Sequence, residues 1–230
     1  MVWIDLSDVT IEDAKRSIQL VTNIYQKYKD EYLLGVMLGG ATSKYCILKV
    51  LSAKMPYMLT DTVTDWDTLT HLIAIGVHGV YIGGALGFEL DKVSEILHKL
   101  GMWIWVKPNL AQSSVSTTPG YKKFWIRPED VEIYELYVDV MQMEFPENEP
   151  EKQLPYLRTY QGGVLNGTLN DFIIDLNITD VPMISYMLPQ ELFKHRIRCG
   201  KRCLKGSQCK ACEGLIRIAR KEQELELNKS

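Results

Sequence analysis

The sequence predicts an α/β protein: a (β/α) barrel that is incomplete or distorted at its close, followed by a small C-terminal appendage in which four cysteines bind a metal. Strand-like and helix-like segments alternate along most of the 230 residues, which predicts a parallel sheet. Runs such as MWIWV are apolar at most positions, which is typical of a sheet covered on both faces. Four of the five cysteines are crowded near the C-terminus, which indicates a metal-binding unit. The alternative architecture is a doubly wound open sheet.

Seven segments have the composition of strands, and helices are expected between them. The strands are expected to begin near Val2, Leu33, Tyr57, Val80, Met102, Lys123 and Val138. The first helix is predicted to follow a Thr10 cap, because apolar residues recur at three-residue and four-residue spacings from Ile11 to Tyr28. Further helices are expected at residues 42–54, 66–75, 91–100 and 129–137. The later stretch GGVLNGTLNDFIIDLN has the pattern of a turn and a helix, so an eighth strand is not predicted.

One seven-residue word occurs twice in the chain. Residues 35–41 read GVMLGGA and residues 79–85 read GVYIGGA, so the two copies are 44 positions apart. This distance equals two strand–helix units, which is the trace that a barrel assembled from duplicated pieces would leave. The Gly-Gly pairs match neither a dinucleotide fingerprint nor a P-loop, so they are expected either to form sharp turns or to present backbone N–H groups to an anion.

Polar side chains are expected at the mouth of the barrel, because the active sites of such barrels lie at the carboxyl ends of the strands. The candidates for catalysis there are Asp61, Lys107, Arg127 and Glu144. Lys107 and Arg127 end apolar runs, so each either pairs with an acid across the mouth or binds an anionic ligand. Glu144 would act as a general acid or base. Asn109 would either orient a substrate or stabilise the turn at Pro108.

The cysteine cluster has the spacing C-x3-C-x5-C-x2-C within fourteen consecutive residues. The predicted metal ligands are Cys199, Cys203, Cys209 and Cys212. In a reducing compartment, thiols this close indicate a metal before they indicate a disulfide. Four thiolates predict a structural zinc, because a catalytic zinc keeps one position open, and an iron–sulfur cluster is the alternative. Cys46 lies inside a predicted helix and is expected to be a buried, inert thiol.

The charge of the chain is unevenly distributed. Residues 194–221 contain ten Lys or Arg and one acid, whereas the whole chain has a net charge of −3. This basic tail would either contact an anionic partner such as nucleic acid or favour thiolate binding to a metal. The predicted domains are a barrel over residues 1–166 and a helical, metal-binding tail over residues 167–230. The chain shows no leader peptide and no membrane span, so a cytoplasmic location without a membrane partner is expected.

Two stretches of the chain resemble the collagenase-like barrel peptidases. Within residues 69–109, the word GVHGVYIGGALGF is followed by a helix and by MWIWVKPN, similar to that family's strand–helix–strand core. In ELFKHRIRC, the positions of Glu191, Phe193, His195 and Cys199 match the family signature E-x-F-x-H-G-A-x-C, with Arg196 and Ile197 in place of Gly-Ala. The resemblance implies a barrel that performs either proteolysis or iron–sulfur-dependent modification of RNA or of quinone precursors.

Two classes of function are consistent with these features. The first is a metal-containing barrel enzyme, peptidase-like or of the iron–sulfur-dependent modification type, that acts on an anionic or peptide-like substrate. The second is a non-catalytic barrel with a zinc-stapled basic tail that docks on nucleic acid or on a protein assembly, as in a viral or mobile-element protein. The polar residues at the strand ends favour the enzyme, and the basic tail favours docking.

Overall fold

The computed structural model describes residues 2–31, 34–111, 123–145, 150–163, 165, 167–174, 176, 188–199 and 210–229. Its sheet has six parallel strands, and each strand pairs with the next one along the chain. The strands are β1 (Val2–Asp5), β2 (Leu34–Leu38), β3 (Tyr57–Val63), β4 (Gly79–Ile82), β5 (Trp103–Val106) and β6 (Val140–Met141). Such a sequential order curls the sheet into a half barrel, whereas a doubly wound sheet reverses its strand order. The predicted α/β, barrel-like fold is confirmed in this form.

Helices occupy the connections between the strands and the C-terminal part of the chain. They are α1 (Ile11–Tyr28), α2 (Gly40–Ala53), α3 (Trp66–Ala74), α4 (Leu90–Lys99), α5 (Val131–Tyr134), α6 (Pro150–Gly162), α7 (Leu169–Phe172), α8 (Gln190–Arg196) and α9 (Ala211–Leu227). In the described part of the chain, single-turn 3-10 helices cover Leu86–Phe88 and Pro128–Asp130. Thr10 caps α1 as predicted, since its side chain accepts a hydrogen bond from the backbone N–H of Asp13.

The two faces of the sheet are packed differently. One face carries Val36, Val80 and Ile104 and forms the main core together with apolar residues of α1 to α4. The other face carries a separate cluster that is rich in aromatic rings and methionines. Its members are Met37, Met58, Tyr81 and Trp105, with Trp3, Trp103 and Val140 packed against them. Because side chains alternate along each strand, apolar runs such as WIWV supply both clusters at once.

The duplicated word begins with the same local structure in both copies, after which the first copy enters α2 and the second forms a turn. Each copy is a strand followed by a Gly-Gly pair, and the second glycine of the pair has a positive φ, +46° at Gly40 and +52° at Gly84. The glycine that opens each word pairs with a tryptophan, Gly35 with Trp3 and Gly79 with Trp103. A Cβ atom at Gly35 would lie 2.5 Å from the Trp3 ring, so the opening glycine makes room for the neighbouring strand.

The strand expected near Lys123 does not join the sheet. This segment has an extended backbone, but the strand that follows β5 in the sheet is β6. The rings of Phe124 and Trp125 are buried, and Trp125 packs edge-on against Phe193 of α8. The segment therefore joins the barrel wall to the C-terminal helices, which is why its apolar composition is that of a strand.

The C-terminal helices share the main core with the barrel. Phe193 on α8 and both Ile216 and Ala219 on α9 are buried in that core. Leu225, which would extend the apolar stripe of α9, is 52% exposed, so the docking of α9 ends before it. The boundary between residues 166 and 167 stays a prediction.

Candidate functional site

Two of the four predicted catalytic side chains meet at the carboxyl edge of the sheet. Lys107 directly follows β5 and Glu144 lies three residues beyond β6, and their side chains form an ion pair. Because β5 and β6 are neighbours, residues that follow them are brought together at the same edge. Both side chains keep partial access to solvent. We refer to this place as the mouth of the half barrel.

Asn109 holds the backbone of Glu144 in place. Its side-chain nitrogen donates a 2.6 Å hydrogen bond to the carbonyl oxygen of Glu144, and its side-chain oxygen accepts a 2.9 Å bond from the N–H of Glu144. Asn109 is fully buried, so both bonds are shielded from water. The sequence indicated a substrate or the turn at Pro108 as partner of Asn109, and the structure instead gives it the backbone of a candidate catalytic residue.

Tyr81 lies beneath the ion pair. The Lys107 ammonium is 5.3 Å from the centre of the Tyr81 ring, and the Tyr81 hydroxyl donates a hydrogen bond to Gln142. Burial raises the pKa of Tyr81 well above its ordinary value, and the negative charges of Asp5 and Glu144 raise it further. The phenol therefore stays protonated and remains a donor at neutral pH. Asp5, which ends β1, thus contributes a second carboxylate to the surroundings of Tyr81.

The aromatic cluster of the sheet's second face supplies the floor of the mouth. Trp105 packs edge-on against Trp3, with ring centres 6.3 Å apart, and its ring is 5.5 Å from that of Tyr81. The indole nitrogens of Trp3 and Trp105 are buried, and among the described residues neither has a hydrogen-bond partner. Buried indole N–H groups usually have partners. Both donors are thus enclosed within the aromatic cluster.

Arg127 has a different position from the one that the sequence suggested. Its guanidinium is buried and donates to both carboxylate oxygens of Asp130 and, at 2.7 Å, to the carbonyl oxygen of Leu188. It also stacks over the Phe193 ring at 4.4 Å. These contacts tie the segment after Lys123 to the start of α8. The acids that pair with Arg127 are therefore Asp130 and, at 4.0 Å, Glu129, whereas Glu144 pairs with Lys107.

Asp61 lies on β3 and is exposed. The register between β3 and β4 shifts between Leu59 and Thr62, so Asp61 sits at an irregular point of the ladder. Within the described part of the chain, no ion pair joins Asp61 to Lys107 or Glu144. The structure thus brings Lys107 and Glu144 together and leaves Asp61 and Arg127 outside that pair.

A cavity of about 670 Å³ lies on the flank of the half barrel between α5, α6 and β6. Its wall carries three glutamates, Glu129, Glu132 and Glu135, together with Met143 and Tyr160. Glu129 accepts a hydrogen bond from the backbone of Leu165. No sequence pattern predicts this cavity, because its wall combines residues from helices and loops that are distant in the chain.

The two described cysteines of the tail lie at the junction of α8 and α9. Cys199 follows the C-terminus of α8 and Cys212 is in the first turn of α9, and both are partly buried against the main core. Cys203 and Cys209 lie outside the described residues. Within the described part, no group of three His, Cys, Asp or Glu side chains is placed to hold a metal. The four-cysteine site therefore stays a prediction.

Cys46 is completely buried in α2, as expected. Burial raises the pKa of its thiol above the ordinary value, against a smaller lowering by Lys15. Such a thiol is a packing residue. None of the helices in the described part of the chain combines the length and the hydropathy needed to cross a membrane.

Fold and mouth together define a class of protein, a parallel α/β half barrel with a Lys–Glu pair at the carboxyl ends of its strands. Comparisons of the chain with protein-family models, with curated proteins and with solved structures found no match.

Proposed function

We propose that the protein is an enzyme that carries out acid–base chemistry on a peptide-like substrate at the mouth of the half barrel. The observation that carries the proposal is the Lys107–Glu144 ion pair above the aromatic floor, with Asn109 clamping the backbone of Glu144. Catalysis in barrel folds usually takes place at the carboxyl ends of the strands, and this ionisable pair lies there. The resemblance to the collagenase-like barrel peptidases points in the same direction.

The charges at the mouth favour a peptide-like substrate over a strongly anionic one. Asp5 and Glu144 contribute two carboxylates, whereas Lys107 contributes one cation and already faces Glu144. An added anion would be repelled by the two carboxylates. A neutral amide is not repelled in this way, and its apolar parts would suit the surroundings of the aromatic cluster.

Amide hydrolysis is the reaction that these groups would serve. Glu144 takes a proton from a water molecule as the water oxygen attacks the amide carbon. The ammonium of Lys107 stabilises the negative charge that develops on the carbonyl oxygen. Glu144 then returns the proton to the departing amine nitrogen, so that one water is consumed and an acid and an amine are released.

A metal held by the tail cysteines would have a structural role in this protein. Thiolates of Cys199 and Cys212 come from the two helix ends that a metal would join, α8 and α9. Zinc suits four thiolates in a tetrahedral arrangement, and an iron–sulfur cluster is the alternative. Metal and sulfide analysis of protein purified without oxygen distinguishes them, because a zinc protein is colourless and an iron–sulfur protein is brown.

The test of the enzyme proposal uses a peptide mixture as substrate and mass spectrometry as readout. The parent is expected to produce new peptide ends at defined sites. Glu144→Gln should lower the rate by about 10²–10⁴-fold, and Lys107→Met by about 10²–10³-fold. Glu31→Gln is the matched control, because Glu31 is an exposed glutamate between α1 and the start of β2, at the opposite edge of the sheet. Equal turnover in Glu144→Gln and the parent would refute the assignment, and absence of turnover in the parent would refute the enzyme.

A second candidate function is docking on nucleic acid through the tail. Among the described residues of the stretch 194–221, the exposed basic side chains are Lys194, Arg198, Lys210, Arg217 and Lys221. A basic surface of this kind binds phosphate backbones with strong salt dependence. Titration of the full chain with duplex DNA and with single-stranded RNA at two salt concentrations tests it, and salt-independent or undetectable binding would exclude it.

A further inference from the structure

The cavity on the flank of the half barrel is a binding site that the chemistry proposed for the mouth does not use. Its volume of about 670 Å³ is typical of small-molecule sites, which have roughly 300–1,000 Å³. Met141, which lines the cavity, packs against the main core, whereas Val140 and Gln142 on either side of it contact the aromatic cluster. Because side chains alternate along a strand, β6 separates the cavity from the mouth.

One part of the cavity wall is apolar. The apolar lining residues are Pro108, Pro128, Val131, Met141, Met143 and Leu157. Methionine side chains are flexible and adapt to ligands of irregular shape. Leu157 is 38% exposed, so this apolar surface reaches solvent. A surface of this kind suits the carbon chain of a ligand.

The other part of the wall is negatively charged. Glu129, Glu132 and Glu135 line it, and among the described lining residues there is no Lys, Arg or His. The three glutamates follow one another at a spacing of three residues, so they lie on one side of the helical segment, where like charges repel each other. A cation bound between them would relieve this repulsion.

The three carboxylates differ in what they already contact. Glu129 accepts a hydrogen bond from the backbone N–H of Leu165 and lies 4.0 Å from the guanidinium of Arg127. Glu132 and Glu135 are exposed, and within the described ranges of the chain no ion pair includes either of them. These two carboxylates can therefore pair with a cation from outside the chain.

The spread of the carboxylates favours an organic cation over a metal ion. In the described part of the chain, no group of three His, Cys, Asp or Glu side chains is placed to hold a metal. Glu129 and Glu135 are two steps of the three-residue spacing apart, which is about 9 Å along a helix axis. A cation such as Ca²⁺ takes about six to eight oxygen ligands, which a partly apolar wall does not supply.

We propose that the cavity binds an elongated organic cation, in which ammonium groups are separated by an apolar carbon chain. The ammonium groups pair with Glu132 and Glu135, and the carbon chain contacts the two methionines of the wall. A free polyamine and the lysine side chains of a basic peptide both carry this chemistry. The proposal is independent of the acid–base chemistry at the mouth, because the cavity and the Lys107–Glu144 pair share no side chain.

The test titrates the full chain with spermidine by isothermal calorimetry, at low and at high salt. Glu132→Gln combined with Glu135→Gln should weaken binding by about 5- to 30-fold, the size expected when two exposed ion pairs are lost. Met143→Gln should weaken binding by about 3- to 10-fold, because it replaces an apolar contact to the carbon chain. High salt should weaken binding to the parent, since it screens exposed charges.

The matched control is Glu12→Gln combined with Glu31→Gln. It removes the same amount of charge from two exposed glutamates, one in the first turn of α1 and one beyond its end. The affinity of this control variant for spermidine should equal that of the parent. Circular dichroism of every variant shows whether the fold is kept, which is expected because Glu132 and Glu135 are exposed.

A second titration uses a peptide that contains two lysines and no acid, and it identifies the source of the cation. Tighter charge-dependent binding of the peptide indicates a basic peptide, and tighter binding of spermidine indicates a free polyamine. Undetectable binding of both probes, or an equal loss of affinity in the control variant, overturns the proposal. So does a loss in Glu144→Gln, which would place the cation at the mouth. Binding of Mg²⁺ with the same dependence on Glu132 and Glu135, and with no effect of Met143→Gln on spermidine, would indicate a metal site and also overturns it.

Discussion

Replacing Asp130 by alanine tests whether Arg127 anchors the fold. The variant leaves the Arg127 guanidinium buried and removes the two hydrogen bonds that Asp130 accepts from it. Arg127 is 3% and Asp130 0% exposed, so water cannot replace the lost carboxylate. Removing one partner of such a buried pair costs about 3–5 kcal/mol. For a chain of this length, each kcal/mol lowers Tm by about 2–4 °C, so the expected fall is about 6–20 °C.

The assay is thermal or urea unfolding monitored by circular dichroism. The control is Glu132→Ala, which replaces an exposed acid two residues after Asp130. That control should change Tm by about 1–2 °C at most, since exposed substitutions usually cost within 0.5 kcal/mol. A double variant, Arg127→Met with Asp130→Leu, removes both charges and should recover much of the loss, because the cost lies in the uncompensated guanidinium. A loss below about 1 kcal/mol in Asp130→Ala would refute the reasoning, since surface pairs have that magnitude.

Three further predictions concern the sheet, the mouth and the buried phenols. Gly35→Ala should destabilise the fold by about 1–3 kcal/mol in urea unfolding, because its Cβ would overlap the Trp3 ring. Asn109→Ala should lower turnover while Tm falls modestly, because it releases the backbone of Glu144, and unchanged turnover would contradict the clamp. Burial raises the pKa of phenols such as Tyr160. The stability that such a buried, protonated phenol contributes should therefore be fully present below a pH of about 10 and should be lost progressively as the pH rises above it. Tyrosinate absorbance and unfolding, measured together against pH, check this.

The residues at the mouth show why part of the site was predictable from sequence. Lys107 and Glu144 follow successive strands of the sheet, and consecutive parallel strands place their carboxyl ends side by side. The sequence places both residues at the carboxyl edge, but it also predicts a strand near Lys123 between theirs, so their contact depends on that segment leaving the sheet. The sequence also places Asn109 at this edge, but it does not show that Asn109 binds the backbone of Glu144. A hydrogen bond between a side chain and a backbone group 35 residues away leaves no local sequence pattern.

Arg127 shows where the same reasoning fails. FWIR and WIWVK have equal local patterns, yet one is a strand of the sheet and the other is not. The signal that was available is the three-residue spacing between Arg127 and Asp130, which suits a local ion pair. Pro128 and the acids that follow it also match ordinary helix initiation, so local sequence alone does not assign Asp130 to the arginine.

The sequence by itself determined the parallel α/β architecture, the Thr10 cap, the repeated strand with its Gly-Gly pair and the position of Lys107 and Glu144 at the carboxyl edge of the sheet. Each depends on composition or spacing within one or two strand–helix units, where local sterics and chain connectivity act directly. Only the tertiary structure decided that Arg127 and Arg196 are buried and that the segment after Lys123 leaves the sheet. Burial of a side chain is set by which distant rings pack over it, and for Arg196 those rings come from three separate segments of the chain.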